Sequence, residues 1–510
     1  MAVSHCYTLI HALTMSEKRQ FVAFSERHVV GEEKKYLALF HILESMPTYN
    51  EHQVQKAMRE KGLNTKWFKG DQNYLYNQLL EHLAQFHNGK SGNLQVKAGL
   101  MHIEILFDKG LFRQCRKEIE KAMALARMLE FFELQIQILF WERKIALATS
   151  EKTSRTIAQI LDDLEQATAM IAIGNQYLLL YEKAESLRQR VIKTRKPADL
   201  AAFRKLLKDP LLGMRSHHPT KQSQIRFHQI HAMWAYLHKA KDDELAHNYA
   251  IIKLFDRSPE YRNEYPLDYI AIYSRILSIL KLDDAKVFHA QLTNFRAFEP
   301  DIHSIGYRNI RAQIFAQSYM IELSAYLTQG NFSDAMRTVR AIEASMPEHA
   351  PFISKGNSLS FQFMISYALF ANGEYKSARS ALNQLLNEYD DKVRPDLYNF
   401  ARLLSLMTHL ELGNYSNIRS QASSIAYYFR KHGKLYATEN KILNYFNNPE
   451  HYKGRRQLHY LELIEAQLEK IRSASIEKYA LGYIDFFTWI ASRRERVPMS
   501  TIAGRRNKRG

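Results

Sequence analysis

The stretch TQGNFSDAMRTVRAIEASMP, residues 328–347, contains the pattern that decides the fold. Gly330 is followed two residues later by an aromatic side chain, Phe332. Apolar side chains then stand five, nine and twelve residues after the glycine, at Ala335, Val339 and Ile342. Glycine readily adopts the positive φ of a tight turn, and this spacing places the three side chains on one face of a helix. The stretch therefore predicts a helical hairpin.

The same pattern occurs four times along the chain. The sets are Gly110/Phe112/Cys115/Ile119/Ala122, Gly330/Phe332/Ala335/Val339/Ile342, Gly373/Tyr375/Ala378/Leu382/Leu385 and Gly413/Tyr415/Ile418/Ala422/Ile425. With 12% aromatic residues, about two of the 19 glycines would have an aromatic residue at that distance by chance. The excess favours a repeat array, and unrelated helical hairpins remain the alternative interpretation.

These hairpins resemble tetratricopeptide repeats. The resemblance covers residues 305–430 and extends weakly to 95–127, and Pro347 falls where that family often ends its second helix. The last three glycines lie 43 and 40 residues apart, which exceeds the family's usual period of about 34 residues. The small residue seven positions before the glycine is also mostly missing. The resemblance implies an all-α solenoid of antiparallel helix hairpins.

Composition agrees with an all-α chain. The 510 residues include only 12 Pro and 19 Gly, fewer turn residues than an all-β protein of this length needs. We predict an N-terminal helical module (1–92), divergent hairpins (93–304), tetratricopeptide-like repeats (305–432) and C-terminal capping helices with a basic tail (433–510). Within the first module, Thr14 and Glu17 have capping-box spacing, and Asp71 is expected to cap a later helix.

The family resemblance also implies a binding groove lined by the first helix of each hairpin. Positions ten, six and three before each glycine would face it, and these are mostly apolar. The predicted groove residues are Met320, Leu327, Phe363, Tyr367, Phe370, Leu403 and Met407. The groove would accept an amphipathic helix or apolar peptide. The alternative is that the protein's own C-terminal helices, around residues 456–490, fill it.

The net charge of +18 is concentrated in two segments. Residues 188–226 contain eleven Lys or Arg against two Asp, and residues 493–510 contain seven against one Glu. The predicted anion-binding residues are Arg188, Arg190, Arg195, Lys196, Arg204, Lys205, Arg505 and Arg506. They would bind a phosphate backbone or an acidic protein surface, and a solvated basic face is the other interpretation.

No catalytic motif is evident. The run His87-Asn88-Gly89-Lys90-Ser91 ends like a phosphate-binding loop but has Ala84 where the first glycine is required. Histidines at 217, 218, 228, 231 and 238 are interpreted as a solvated cluster, with metal binding as the minor alternative. We therefore expect no enzyme activity, cofactor or metal.

The expected location is the cytoplasm. The chain has only two cysteines, no secretion signal and no apolar stretch long enough to span a membrane. The leading hypothesis is a non-catalytic interaction scaffold that holds a protein or peptide partner in the groove. The alternative is a nucleic-acid-associated protein that uses residues 188–226 and the basic tail.

Overall fold

The fold is described from a computed structural model. The described residues are 4–27, 35–149, 155–194, 197–213, 218–281, 284–299, 306–388, 393–432, 435–453, 456–473 and 482–507. They form 25 α-helices and three short 3-10 helices, and this part of the chain contains no β-strand. The predicted all-α class is confirmed.

The chain divides into two compact units, Met1–Thr168 and Ala169–Gly510. The first unit contains α1 His5–Ala12, α2 Met15–Arg27, α3 Lys35–Ser45, α4 Glu51–Glu60, α5 Phe68–His87, α6 Gly92–Asp108, α7 Phe112–Met128 and α8 Phe132–Ala148. Helix α9, Ile157–Thr194, crosses the division. None of the predicted domain boundaries coincides with that division.

The second unit contains the remaining helices. They are α10 Pro197–Leu206, α11 Lys221–His238, α12 Lys241–Asp256, α13 Pro259–Glu264, α14 Pro266–Leu280, α15 Ala285–Arg296, α16 Tyr307–Gln329, α17 Phe332–His349, α18 Lys355–Ala371, α19 Tyr375–Glu388, α20 Pro395–Glu411, α21 Ile418–Lys431, α22 Ala437–Asn447, α23 Gln457–Ser473, α24 Phe486–Glu495 and α25 Met499–Asn507. No helix in the described part of either unit is long and apolar enough to cross a membrane.

Each predicted glycine turn joins two helices through a left-handed residue. Gly110, Gly330, Gly373 and Gly413 have φ between 71° and 86°. At Gly330 the glycine N–H donates to the Leu327 carbonyl at 3.2 Å, and the next N–H donates to the Tyr326 carbonyl at 2.8 Å. These bonds satisfy carbonyls that the end of a helix leaves unpaired. The four predicted turns are confirmed.

Two further turns, at Glu130 and Lys239, use the same geometry without glycine, and a third, at Arg496, joins α24 to α25. Glu130 and Lys239 have φ of 58° and 59°, and the N–H groups that follow them donate to Ala126 and Ala235. After Lys239 the second helix buries two polar residues, Glu244 and Asn248, in its packed stripe. The sequence pattern missed all three turns because it required glycine at the turn.

The apolar stripes pack as their spacing predicts. Ala335, Val339 and Ile342 are buried, as are the corresponding residues after Gly110 and Gly373. In the second unit the first helices contact one another in series, α14 with α16, α16 with α18 and α18 with α20. Each of these helices also packs against a later neighbour in the chain, such as α17 or α19. Sequential packing of neighbouring pairs is consistent with a helical repeat array.

The N-terminal helices share a hydrophobic core of their own. Of the two helix caps predicted there, one is confirmed and one is wrong. Thr14 N–H donates to Glu17 Oε2 at 2.6 Å and Glu17 N–H donates to Thr14 Oγ1 at 3.2 Å, which confirms the capping box. The expectation that Asp71 caps a helix is wrong, because α5 begins three residues earlier at Phe68. Asp71 instead pairs with Lys35 at 2.6 Å and ties α5 to α3.

We expect Gly330→Ala to destabilise the protein more than Gly373→Ala. Both changes force alanine into the left-handed region, at about 1 kcal/mol each. A Cβ atom at position 330 would also lie 2.5 Å from the Cβ of Ala503 in α25, whereas position 373 has open space. This overlap adds about 1–3 kcal/mol. Urea unfolding followed by circular dichroism measures the difference, and equal losses would contradict the packing of α25 against this turn.

Candidate functional site

The predicted groove residues lie on α16, α18 and α20, on what we call the first-helix face. Six of the seven are buried: Leu327, Phe363, Tyr367, Phe370, Leu403 and Met407. Met320 is half-buried and packs against the same core. The sequence therefore places these side chains on one packed surface. That surface is covered by another part of the chain.

The cover is the C-terminal segment, residues 482–507. The Tyr483 ring stacks on Phe400 with centroids 4.4 Å apart and meets the edge of Phe363 at 6.4 Å. The Asp485 N–H donates to the Tyr367 hydroxyl at 2.9 Å. Burial raises the pKa of Tyr367, so this hydroxyl stays protonated and accepts through its oxygen.

A second set of contacts anchors α24. Trp489 is 1% exposed, and its indole N–H donates to Glu411 Oε1 at 2.8 Å. Arg493 Nη1 donates to the same oxygen, also at 2.8 Å. Phe370, Leu403 and Met407 belong to one buried cluster with Trp489 and other residues of this segment. These three side chains are therefore buried inside the protein and are not open to a partner.

One part of the first-helix face remains open as a cavity of about 380 Å³. Its lining includes three predicted groove residues, Leu327, Phe363 and Tyr367. The other lining residues are Ser324, Thr328, Ser360, Met364, Arg394, Leu397, Gly482, Tyr483 and Asp485. We call this the groove cavity. It has an apolar floor with a few fixed polar groups, which is the usual composition of a recognition site.

Two cations, Arg394 and Lys281, donate hydrogen bonds to serine hydroxyls that line the groove cavity. Arg394 binds Asp396 through two parallel hydrogen bonds of 3.0 and 2.7 Å, and its Nη1 donates to Ser360 at 3.3 Å. Lys281 donates from Nζ to the Ser324 hydroxyl at 2.8 Å, and burial lowers the pKa of this lysine. Both side chains are therefore held in place by hydrogen bonds to neighbouring residues.

The acidic residue beside the cavity is held as a carboxylate. Burial alone would raise the pKa of Asp396, but hydrogen bonds from Arg394 and Tyr483 outweigh burial and lower it. Sequence reasoning missed Asp396, Arg394 and Lys281. Arg394-Pro395-Asp396 has only the pattern of a helix start, and Lys281 lies outside the recognised repeats.

Two of the predicted anion-binding residues of 188–226 are paired with carboxylates, and two others are exposed. Arg188 forms two bonds to Glu185, at 2.7 and 2.6 Å, and Arg190 lies 3.3 Å from Asp199. Arg204 and Lys205 are exposed in the last turn of α10, where positive charge complements the helix dipole. Arg195 and Lys196 lie outside the described residues.

The basic tail is only partly described. Arg505 pairs with Glu495 at 2.5 Å, and the side chain of Arg506 lies outside the described residues. The Arg505 pair is half-exposed and contributes little to stability. Binding of an anion by either basic segment stays a prediction.

The loop that resembles a phosphate-binding motif serves as a helix start. The Ser91 hydroxyl accepts from the Leu94 N–H at 3.2 Å and caps α6, which begins at Gly92. The Lys90 ammonium lies 3.4 Å from the centre of the Phe86 ring. These contacts give the motif a structural role at the start of α6.

The interpretation of the histidines as solvated is wrong for His228 and His231, which are half-buried between α11 and α12. It is also wrong for His218, which is half-buried with its Nδ1 2.6 Å from the Tyr177 hydroxyl oxygen. His228 Nδ1 lies 2.9 Å from Nδ1 of His247, a residue that sequence reasoning missed, and the His231 and His247 rings stack. Burial lowers the pKa of His228 to about 4 and also lowers the pKa values of the other two. His217 lies outside the described residues.

No group of three or more His, Cys, Asp or Glu in the described ranges has the geometry of a metal site. The histidine contacts are therefore best explained by hydrogen bonding and stacking. Each short nitrogen–nitrogen contact needs one donor and one acceptor, so the pair cannot carry a proton on both facing atoms.

Comparison with known proteins adds no relative. The chain matches no protein-family model, no curated protein and no solved structure. Function must therefore be inferred from the geometry of the described residues.

We expect the protein to lose stability as the pH falls from about 6.5 toward 4. The folded state keeps His228 neutral while the unfolded chain takes up the proton near its ordinary pKa of about 6.5, so protonation favours unfolding. His228→Gln should remove about 1 kcal/mol of this dependence, since partial solvation reduces the full effect. Urea unfolding at pH 7.5 and 5.0 measures it.

The exposed His459 provides the matched control. His459→Gln should keep the wild-type pH dependence. If His228→Gln and His459→Gln lose stability with pH to the same extent as wild type, the histidine cluster is not the cause.

Proposed function

We propose that this protein is a non-catalytic interaction scaffold that holds a segment of a partner protein at the groove cavity. The tetratricopeptide-like pattern supports a scaffold, because its turns and stripes are used in at least four hairpins and the pairs pack in series. Arrays of this kind present long surfaces built from successive helices. The individual hairpins are longer than those of the family they resemble.

One observation carries the proposal: Leu327, Phe363 and Tyr367, although largely buried, line the groove cavity, while the C-terminal segment packs against other parts of the first-helix face. Its volume of about 380 Å³ suits one large apolar side chain with its flanking backbone. Ser324, Ser360 and Thr328 supply hydroxyls at its wall. The fitting partner is a peptide segment with one apolar anchor.

The charged groups support a binding role over catalysis. General acid–base catalysis needs a group whose pKa lies near the working pH. Asp396 is held well below that range by Arg394 and Tyr483, and Asp485 accepts hydrogen bonds from Thr488 at the start of α24. These carboxylates position side chains and helices.

The cytoplasmic location is part of the same proposal. Cys6 and Cys115 are both buried free thiols, which suits a reducing compartment. Nucleic-acid binding through residues 188–226 has less support than the scaffold, because Arg188 and Arg190 already face carboxylates. The exposed side chains of Arg204 and Lys205 still support the nucleic-acid-binding alternative.

The test is site-specific photo-crosslinking from the wall of the groove cavity. A benzoylphenylalanine at the exposed Thr328 should capture a protein partner from nuclease-treated native lysate at both low and high salt. Met364→Glu should reduce capture about tenfold or more, because the half-buried carboxylate replaces an apolar wall. Quantitative mass spectrometry of the adducts gives the readout.

Met346→Glu is the matched control, since Met346 is also half-buried against the same core but lies outside the cavity. Capture that is equal in the Met364 and Met346 variants would contradict the proposal. Nucleic acid that co-purifies at low salt and is lost on charge reversal of residues 188–226 would favour the alternative.

A further inference from the structure

A second cleft, of about 400 Å³, lies between α19, α20 and α21, away from the groove cavity. Polar groups form a larger share of its wall than of the wall of the groove cavity. The lining residues are Asn383, Leu386, Asn387, Arg402, Ser405, His409, Gln421, Ser424, Ile425 and Tyr428. The spacing of these residues along three successive helices places them on one outward surface.

Two tyrosine rings hold the side chain of Arg402 in place in this cleft. Its guanidinium carbon lies 4.0 Å from the centre of the Tyr428 ring and 4.9 Å from that of Tyr398. The Tyr398 hydroxyl donates to the Leu386 carbonyl at 2.6 Å, so that ring is itself held in place. Stacking orients the guanidinium plane while leaving its N–H groups available for hydrogen bonds.

Within the described ranges Arg402 lacks an acidic partner, unlike Arg394, which immediately precedes α20. Arg394 is bound to Asp396 by two hydrogen bonds. Among the described residues, no carboxylate lies within salt-bridge distance of Arg402, and no side chain that lines the cleft carries negative charge. A half-buried cation without a counter-ion makes an anionic ligand favourable.

The surrounding groups are donors that suit an oxyanion. Asn383, Asn387 and Gln421 each offer an amide N–H₂ group, and Ser405 and Ser424 offer hydroxyls. Burial, together with the nearby positive charge of Arg379, lowers the pKa of His409. His409 is therefore neutral at pH 7 and presents one N–H donor.

We propose that this cleft binds an oxyanion, the phosphate or carboxylate group of a larger molecule, with Arg402 as the principal ligand. Arginine matches both groups through two parallel N–H···O bonds, and the amides and hydroxyls complete the shell. The cleft is larger than a phosphate ion, so the anionic group is one end of its ligand. This site is independent of the proposed scaffold function, because it shares no lining residue with the groove cavity.

The experiment measures binding of inorganic phosphate and of acetate to the full chain at constant ionic strength. Thermal unfolding midpoints report both anions, and ³¹P line broadening reports phosphate directly. We expect saturable stabilisation by at least one of them. Stabilisation by phosphate alone identifies a phosphate site, and stabilisation by acetate identifies a carboxylate site.

Arg402→Gln should raise the dissociation constant about tenfold or more, whereas the exposed Arg340→Gln should leave it unchanged. Ser405→Asp provides a second variant that keeps Arg402 and its stacking. Its carboxylate stands one turn from Arg402 on the same helix face and should exclude the anion while raising the unfolding midpoint in chloride. The proposal fails if neither anion gives saturable binding, or if both variants bind as tightly as wild type.

Discussion

The left-handed turn between paired helices is the constraint on which the rest of this structure depends. Each turn reverses the chain within about three residues and pairs the last carbonyls of the first helix with following N–H groups. The second helix then returns antiparallel, so that the residues five, nine and twelve positions after the turn face the first helix. Turns of this geometry at the four glycines and at Glu130, Lys239 and Arg496 join successive helices.

Stacking such pairs creates a second requirement. The first helices of the array present an apolar, aromatic face that water would contact unless something covered it. The C-terminal segment covers most of this face through Tyr483, Trp489 and the residues around them. The polar anchors at Glu411 and Tyr367 fix where the segment lies. What stays open is a cavity whose size and lining suit one anchor side chain of a partner.

The net charge of this protein does not show which of its basic side chains lack a carboxylate partner. Two arginines of the basic segment, Arg188 and Arg190, face carboxylates, and Arg394 is held by Asp396. Arg402 differs from these three arginines because two tyrosine rings, and no carboxylate of the described chain, lie against it. The net charge of +18 is therefore a poor guide to where an anion would bind.

The sequence by itself determined the helical class, the four glycine turns, the stripes behind them and the capping box at Thr14. These features depend on local spacing and on backbone conformations that few residues adopt, so the linear pattern contains them. It also determined that Phe363, Tyr367 and Met407 share a face. Only the tertiary structure decided that this face is covered, because the covering residues lie about 80 to 120 positions later and carry no pairing signal.

Dependence on tertiary packing also explains why the sequence did not predict the following features. Turns at Glu130 and Lys239 escaped detection because the left-handed conformation costs a non-glycine residue only about 1–2 kcal/mol, which surrounding packing can offset. His247 joins His228 through the packing of α12 on α11. Arg402 meets Tyr428 across two helices, a contact that depends on their crossing geometry. Distances of this kind arise only when helices pack, and neither composition nor periodicity specifies them.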